Sequence, residues 1–111
     1  MCETISSREI SWLTFKSHYK VIGDINTMLK TLPPNSNVLV EKRDFNIETP
    51  TETMISYQYS LNKEAFLAIA NNYSDEICER IIKQWGKIES AGYKLPKTFI
   101  NALKLQYEHR T

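Results

Sequence analysis

Glycine is scarce in this chain: three in 111 residues, with four prolines and two cysteines. So few glycines and prolines exclude a linker-dominated or low-complexity chain. Cys2 and Cys78 form no CxxC pair, which argues against a disulfide framework or a zinc knuckle. They read as two reduced thiols. No apolar run approaches the roughly 20 residues that a membrane helix needs, and the N-terminus shows no charged-then-apolar signal pattern. A cytoplasmic protein without a membrane partner is therefore expected. Gly-rich phosphate loops, HExxH and GxSxG are all missing. His18 and His109 stand too far apart to make a metal-ligand spacing, with or without the cysteines. No enzyme, metal or cofactor is expected from these residues.

Net charge is only +1. That weighs against a uniformly basic nucleic-acid coat but not against one local basic face, because binding depends on where the cations sit. Apolar residues at 41% and charged residues at 24% are the balance of one ordinary globular domain.

What is present is helical at the front. Ser6 or Ser7 caps a first helix ending near Thr14, with Ile10 and Leu13 toward the core and Trp12 beside them. Ser17 caps a second, its hydroxyl accepting from a free first-turn amide. Val21, Ile22, Ile25, Met28, Leu29 and Leu32 recur at three- and four-residue spacing, which predicts one buried face. Pro33 and Pro34 end it. Lys16, Ser17, His18, Tyr19 and Lys20 open the second helix, and this is how a DNA-reading helix of a helix-turn-helix presents itself, its first turn aimed at base edges and phosphates.

Alternating β-branched residues predict a strand over residues 38–45 and another over 54–61, joined by a polar loop at 48–52 that contains Pro50. In the second strand Ile55, Tyr57, Tyr59 and Leu61 should point one way and Ser56, Gln58 and Ser60 the other. A lone hairpin is marginal in water, so it must pack on the helices. Lys42 and Arg43 lie where a wing would touch the DNA backbone. The carboxylates Glu41, Asp44, Glu48 and Glu52 read as solvated charges.

Asn62 caps a third helix with Phe66, Leu67, Ile69 and Ala70 on its apolar face, closed by Tyr73. Ser74 caps a fourth carrying Ile77, Ile81, Ile82, Trp85 and Ile88, with Asp75 and Glu76 in the first turn where the helix dipole favours acids. Gly92 ends this region, and a separate fifth helix follows from Leu95. The expected class is α+β: a helix-turn-helix with a β-hairpin wing, winged-helix-like, then two packed helices and a C-terminal helix. The division expected is a domain over residues 1–90 and a linker with its helix over 91–111. The stripe Ile77, Ile81, Trp85 and Ile88 reads first as core, with an interface seam as its alternative; large apolar residues make a second list, of protein-contact candidates: Trp12, Phe15, Trp85, Phe99 and Leu103.

Two separated stretches then carry a family resemblance. Ser7-Arg-Glu-Ile10, Leu13-Thr14, Lys16, His18, Val21, Asp24 and Ile25 form the first. Tyr59 to Leu67, Tyr73-Ser74 and Arg80 to Glu89 form the second. In this order and spacing they resemble the Rha-type regulatory domain of temperate phages, which also occurs in Roi-like and antirepressor proteins. The segment Leu95 to Leu103 is similar to the one that joins such domains to a C-terminal antirepressor domain of the KilAC type. The resemblance implies a phage or prophage regulator in the bacterial cytoplasm. It would bind double-stranded DNA as a dimer and regulate transcription, or act as an antirepressor that captures a phage repressor. The chain departs from the family pattern where arginines are common, at Ser17, Gly23 and Asn26, and where a turn glycine is common, at Phe15. Fewer cations mean fewer phosphate contacts, which adds weight to the protein-contact role.

Overall fold

The computed structural model describes residues 3–108, the side chains of Met54 and Ile55 excepted. Cys2 and His109 lie outside the described residues, as does the direction of the Ile55 side chain. The chain runs β1 (Ile5–Ser6), α1 (Ser7–Thr14), α2 (His18–Lys30), β2 (Val40–Glu48), β3 (Thr53–Leu61), α3 (Lys63–Asn71), α4 (Asp75–Ser90) and α5 (Lys97–Glu108). It is an α+β fold with an antiparallel sheet in the order β1-β3-β2.

The starts of the first four helices have a local cause. Ser6, not Ser7, caps α1: its Oγ accepts from Glu9 N at 3.1 Å while Glu9 Oε1 accepts from Ser6 N at 3.0 Å, a reciprocal capping box. Ser17, Asn62 and Ser74 cap α2, α3 and α4. Asn62 does more than cap. Its Oδ1 also accepts from Leu39 N at 3.0 Å, and its Nδ2 donates to Asn37 O at 2.8 Å, so one side chain joins the strand entry to α3.

The turn between α1 and α2 is tight because Phe15 adopts φ 62°, the left-handed region, and donates its N–H to Ser11 O at 3.0 Å. A residue with a Cβ is strained there by about 1–2 kcal/mol. Arg80 of α4 braces the turn. Its guanidinium donates to Thr14 O at 2.9 Å and lies 5.5 Å from the centre of the Phe15 ring.

The hairpin differs from expectation. β1 was not anticipated; it pairs Ile5 with Leu61 and Ser6 with Ser60. Two residues are too few to show a period. β2 begins later and runs on to Glu48, which faces Thr53. The loop closes on Thr49, whose N–H and hydroxyl both donate to Glu52 O. Among the described residues packing holds the base of the hairpin: Leu61 is fully buried, whereas β2 is almost wholly exposed. The protruding arm gives a radius of gyration of 14.6 Å, against roughly 13 Å for a compact chain of this length.

One core lies under all five helices. Ile5, Ile10, Leu13, Val21, Ile25, Leu61, Phe66, Ile81, Trp85, Phe99 and Leu103 are its centre. The fifth helix does not stand apart. α5 packs on α3 and α4 and buries Phe99, Ile100 and Leu103, so residues beyond 90 share the core of those before it. Trp85 is core, the first of its two readings, and Phe99 and Leu103 are corrected from contact candidates to core residues, all at 2% exposure or less. Leu29, expected on the buried face of α2, sits at its rim and is 39% exposed.

Candidate nucleic-acid interface

A helix has one inward and one outward line, and burial fixes both on α2. Val21, Ile22, Ile25 and Met28 face the core. Opposite them, at spacings of three and four, Lys20, Gly23, Thr27 and Lys30 are exposed. Tyr19 stands at the edge of this line and is 86% exposed.

The residues expected to lead the helix do not all join that face. Lys16 turns back along α2 to pair with Asp24, Nζ to Oδ2 at 2.8 Å, and lies 4.7 Å from the centre of the Tyr73 ring. The hydroxyl of Tyr73 donates to the same carboxylate oxygen at 3.2 Å. Burial and the neighbouring Asp24 charge hold the Tyr73 phenol well above its ordinary pKa. Lys16 is thus a neutralised part of a helix clamp, a correction to its expected place among the free cations.

His18 points inward. Its Nε2 lies 2.8 Å from Ser7 Oγ, and that oxygen also accepts from Tyr59 N at 3.0 Å. Burial, and then the positive charge of Arg8, lower its pKa, which favours the neutral ring. Ser7 is fully buried, so this serine–histidine contact offers no approach to a substrate. It ties the start of α2 to β3. Ser17 is exposed, but its Oγ accepts the Lys20 N–H at 3.3 Å, leaving the hydroxyl proton for a partner.

The two cations of the wing part company. Successive strand residues point to opposite faces. Lys42 is opposite Tyr59 in the register, and its Nζ sits 4.4 Å from the centre of the Tyr57 ring. This is the face turned to α2, since Tyr59 donates its hydroxyl to Asn26 Oδ1 at 2.7 Å. Arg43 lies on the other face, where it contacts Glu41 at 3.3 Å. Phe45 shares that face, under the guanidinium of Arg8 at 5.1 Å. Arg43 is therefore removed from the α2-side set.

The surface that remains comprises Tyr19, Lys20, Gly23, Thr27 and Lys30 on α2, with Lys42 on the adjoining sheet face. Gly23, Thr27 and Lys30 were missed. Their signal was available, because they fill the gaps in the 3.6-residue period that marks Val21, Ile25 and Met28. Exposed aromatics occur off α2 as well: Trp12, 42% exposed, meets Tyr93 edge-on at 5.3 Å, and Phe15 is 66% exposed. Among the described residues no helix is long and apolar enough to cross a membrane. Comparison with protein-family models, curated proteins and solved structures finds no match to this chain.

Proposed function

We propose that this chain is a DNA-binding transcriptional regulator of the winged helix-turn-helix kind, in keeping with the Rha-like pattern of its sequence. The observation that carries the reading is the outward line of α2. Lys20 and Lys30 bracket it, and Lys42 lies on the same sheet face as Tyr59, whose hydroxyl donates to Asn26 of α2. A short α1, a tight turn and an exposed second helix form the frame that seats a reading helix in the major groove. The hairpin arm extends from the sheet as a wing, and its Lys42 reaches phosphates flanking the groove. The family's arginine positions 23 and 26 fall on the outward and sheet-side flanks of α2. One helix reads few base pairs, so two copies on paired half-sites are the working form.

The test is a fluorescence titration of labelled duplex DNA at two salt concentrations. Three phosphate contacts give a salt slope near −0.9 for each, so affinity falls roughly 40-fold between about 50 and 200 mM. Binding that ignores salt would count against the reading.

A second reading, capture of a phage repressor by protein contact, draws on a specific observation. Trp12, Phe15 and Tyr93 are exposed, Trp12 and Tyr93 in edge-on contact, and large aromatics anchor interfaces. Co-purification of the two proteins, lost on Trp12→Ala with Phe15→Ala, would favour it.

A further inference from the structure

Gly23 is the sixth residue of the 13-residue α2, deep enough in the helix that alanine would hold it better. Among the described residues nothing requires the glycine. A Cβ built at this position meets no atom within 4 Å, and the backbone there has no positive φ. The residue is exposed, in the middle of the line formed by Lys20, Thr27 and Lys30. Thr27 turns its hydroxyl back onto the helix, donating to Gly23 O at 3.0 Å. The result is a stretch of bare backbone between two cations about 15 Å apart along the axis.

We propose that the α2 backbone at Gly23 is the point of closest approach to duplex DNA, a contact that any Cβ would obstruct. The proposal rests on the DNA-binding reading above. A helix with its side chains is about 10–12 Å across and the major groove about 12 Å wide, so seating depth is decided by the side chains on the outward line. Removing one at its centre lets the helix sit deeper, with Lys20 and Lys30 at either end against phosphates. On this account the glycine does for shape what a family arginine at the same position would do for charge.

The structure supplies an internal control. Gly86 is also exposed, also lies within a helix, and its Cβ space is equally empty, but it belongs to α4. The full chain is titrated against a labelled mixed-sequence duplex at two salt concentrations, as wild type, Gly23→Ala, Gly23→Ser and Gly86→Ala, and each variant is melted by circular dichroism. Both alanine variants should melt higher than wild type. Only the two substitutions at Gly23 should weaken binding, by roughly tenfold, with an unchanged salt slope because no charge has moved. Wild-type affinity in Gly23→Ala, or an equal loss in Gly86→Ala, overturns the close approach while leaving DNA binding intact. A wild-type chain that does not bind the duplex overturns the DNA reading and this inference with it.

Discussion

Lys16 reaches along α2 to Asp24 and holds its carboxylate at 2.8 Å. The side chain that leads the helix in the sequence is thereby held off the outward line of α2. The pair is a quarter to a third exposed, at 26% and 34%, so water screens it and its contribution is about 1 kcal/mol or less.

Releasing the lysine should strengthen DNA binding. Asp24→Asn removes the charge but keeps an oxygen that can accept from Tyr73. The freed Lys16 then adds one phosphate contact, and the salt slope steepens by about 0.9. Lys16→Gln should leave affinity and slope near wild type. A loss of affinity in Lys16→Gln as large as that in Lys20→Gln would show that Lys16 is a contact after all.

The left-handed turn at Phe15 sets opposing terms against each other. Glycine there relieves the strain of about 1–2 kcal/mol but gives up the ring under Arg80, about 0.5–1 kcal/mol for an exposed cation–π contact, and adds unfolded-state entropy. Phe15→Gly should therefore change stability by no more than about 0.5 kcal/mol. Phe15→Val loses the ring and puts a β-branched residue into the strained region, so it should lose about 2 kcal/mol. Urea unfolding of both variants checks the pair; equal stabilities for valine and glycine would contradict the strain assignment.

Much of the helical framework was legible before the fold was known, because caps and periodicity are local. Ser17, Asn62 and Ser74 sit where their hydroxyl or amide oxygen meets a free first-turn amide, and Ile10 and Leu13 face the core as their spacing implies. What failed was non-local. β1 exists only because Leu61 and Ser60 lie beside it. Trp85, Phe99 and Leu103 have the same residue types whether they fill a core or a partner's pocket, so only packing could sort them. Trp85 Nε1 has no hydrogen-bond partner among the described residues, and nothing in the sequence marks that. At the candidate site, nearness along the chain misled. Lys42 and Arg43 are neighbours but alternate across the sheet, and Lys16 and His18 precede or face away from the outward line that Lys20 begins.

Acid should weaken the fold through His18. Its folded pKa lies below the usual histidine value of about 6.5, from burial first and the charge of Arg8 second. As pH falls, the unfolded chain takes up this proton before the folded one does. The stability given by neutral His18 is therefore complete above about pH 6.5 and is lost as pH drops through the folded pKa. His18→Gln removes the titration, so its stability should fall less steeply between about pH 7.5 and 5. Parallel curves for variant and wild type would exclude the Ser7–His18 contact as a source of the pH dependence.

The central claim is that duplex DNA is gripped by the outward line of α2 and not by the residues that lead it in the sequence. It is tested most directly by the salt dependence of duplex affinity in Lys20→Gln with Lys30→Gln, set against Arg43→Gln on the far sheet face. The double variant should flatten the slope by about 2 and Arg43→Gln should leave it unchanged. A double variant that binds with the wild-type affinity and slope would contradict the claim.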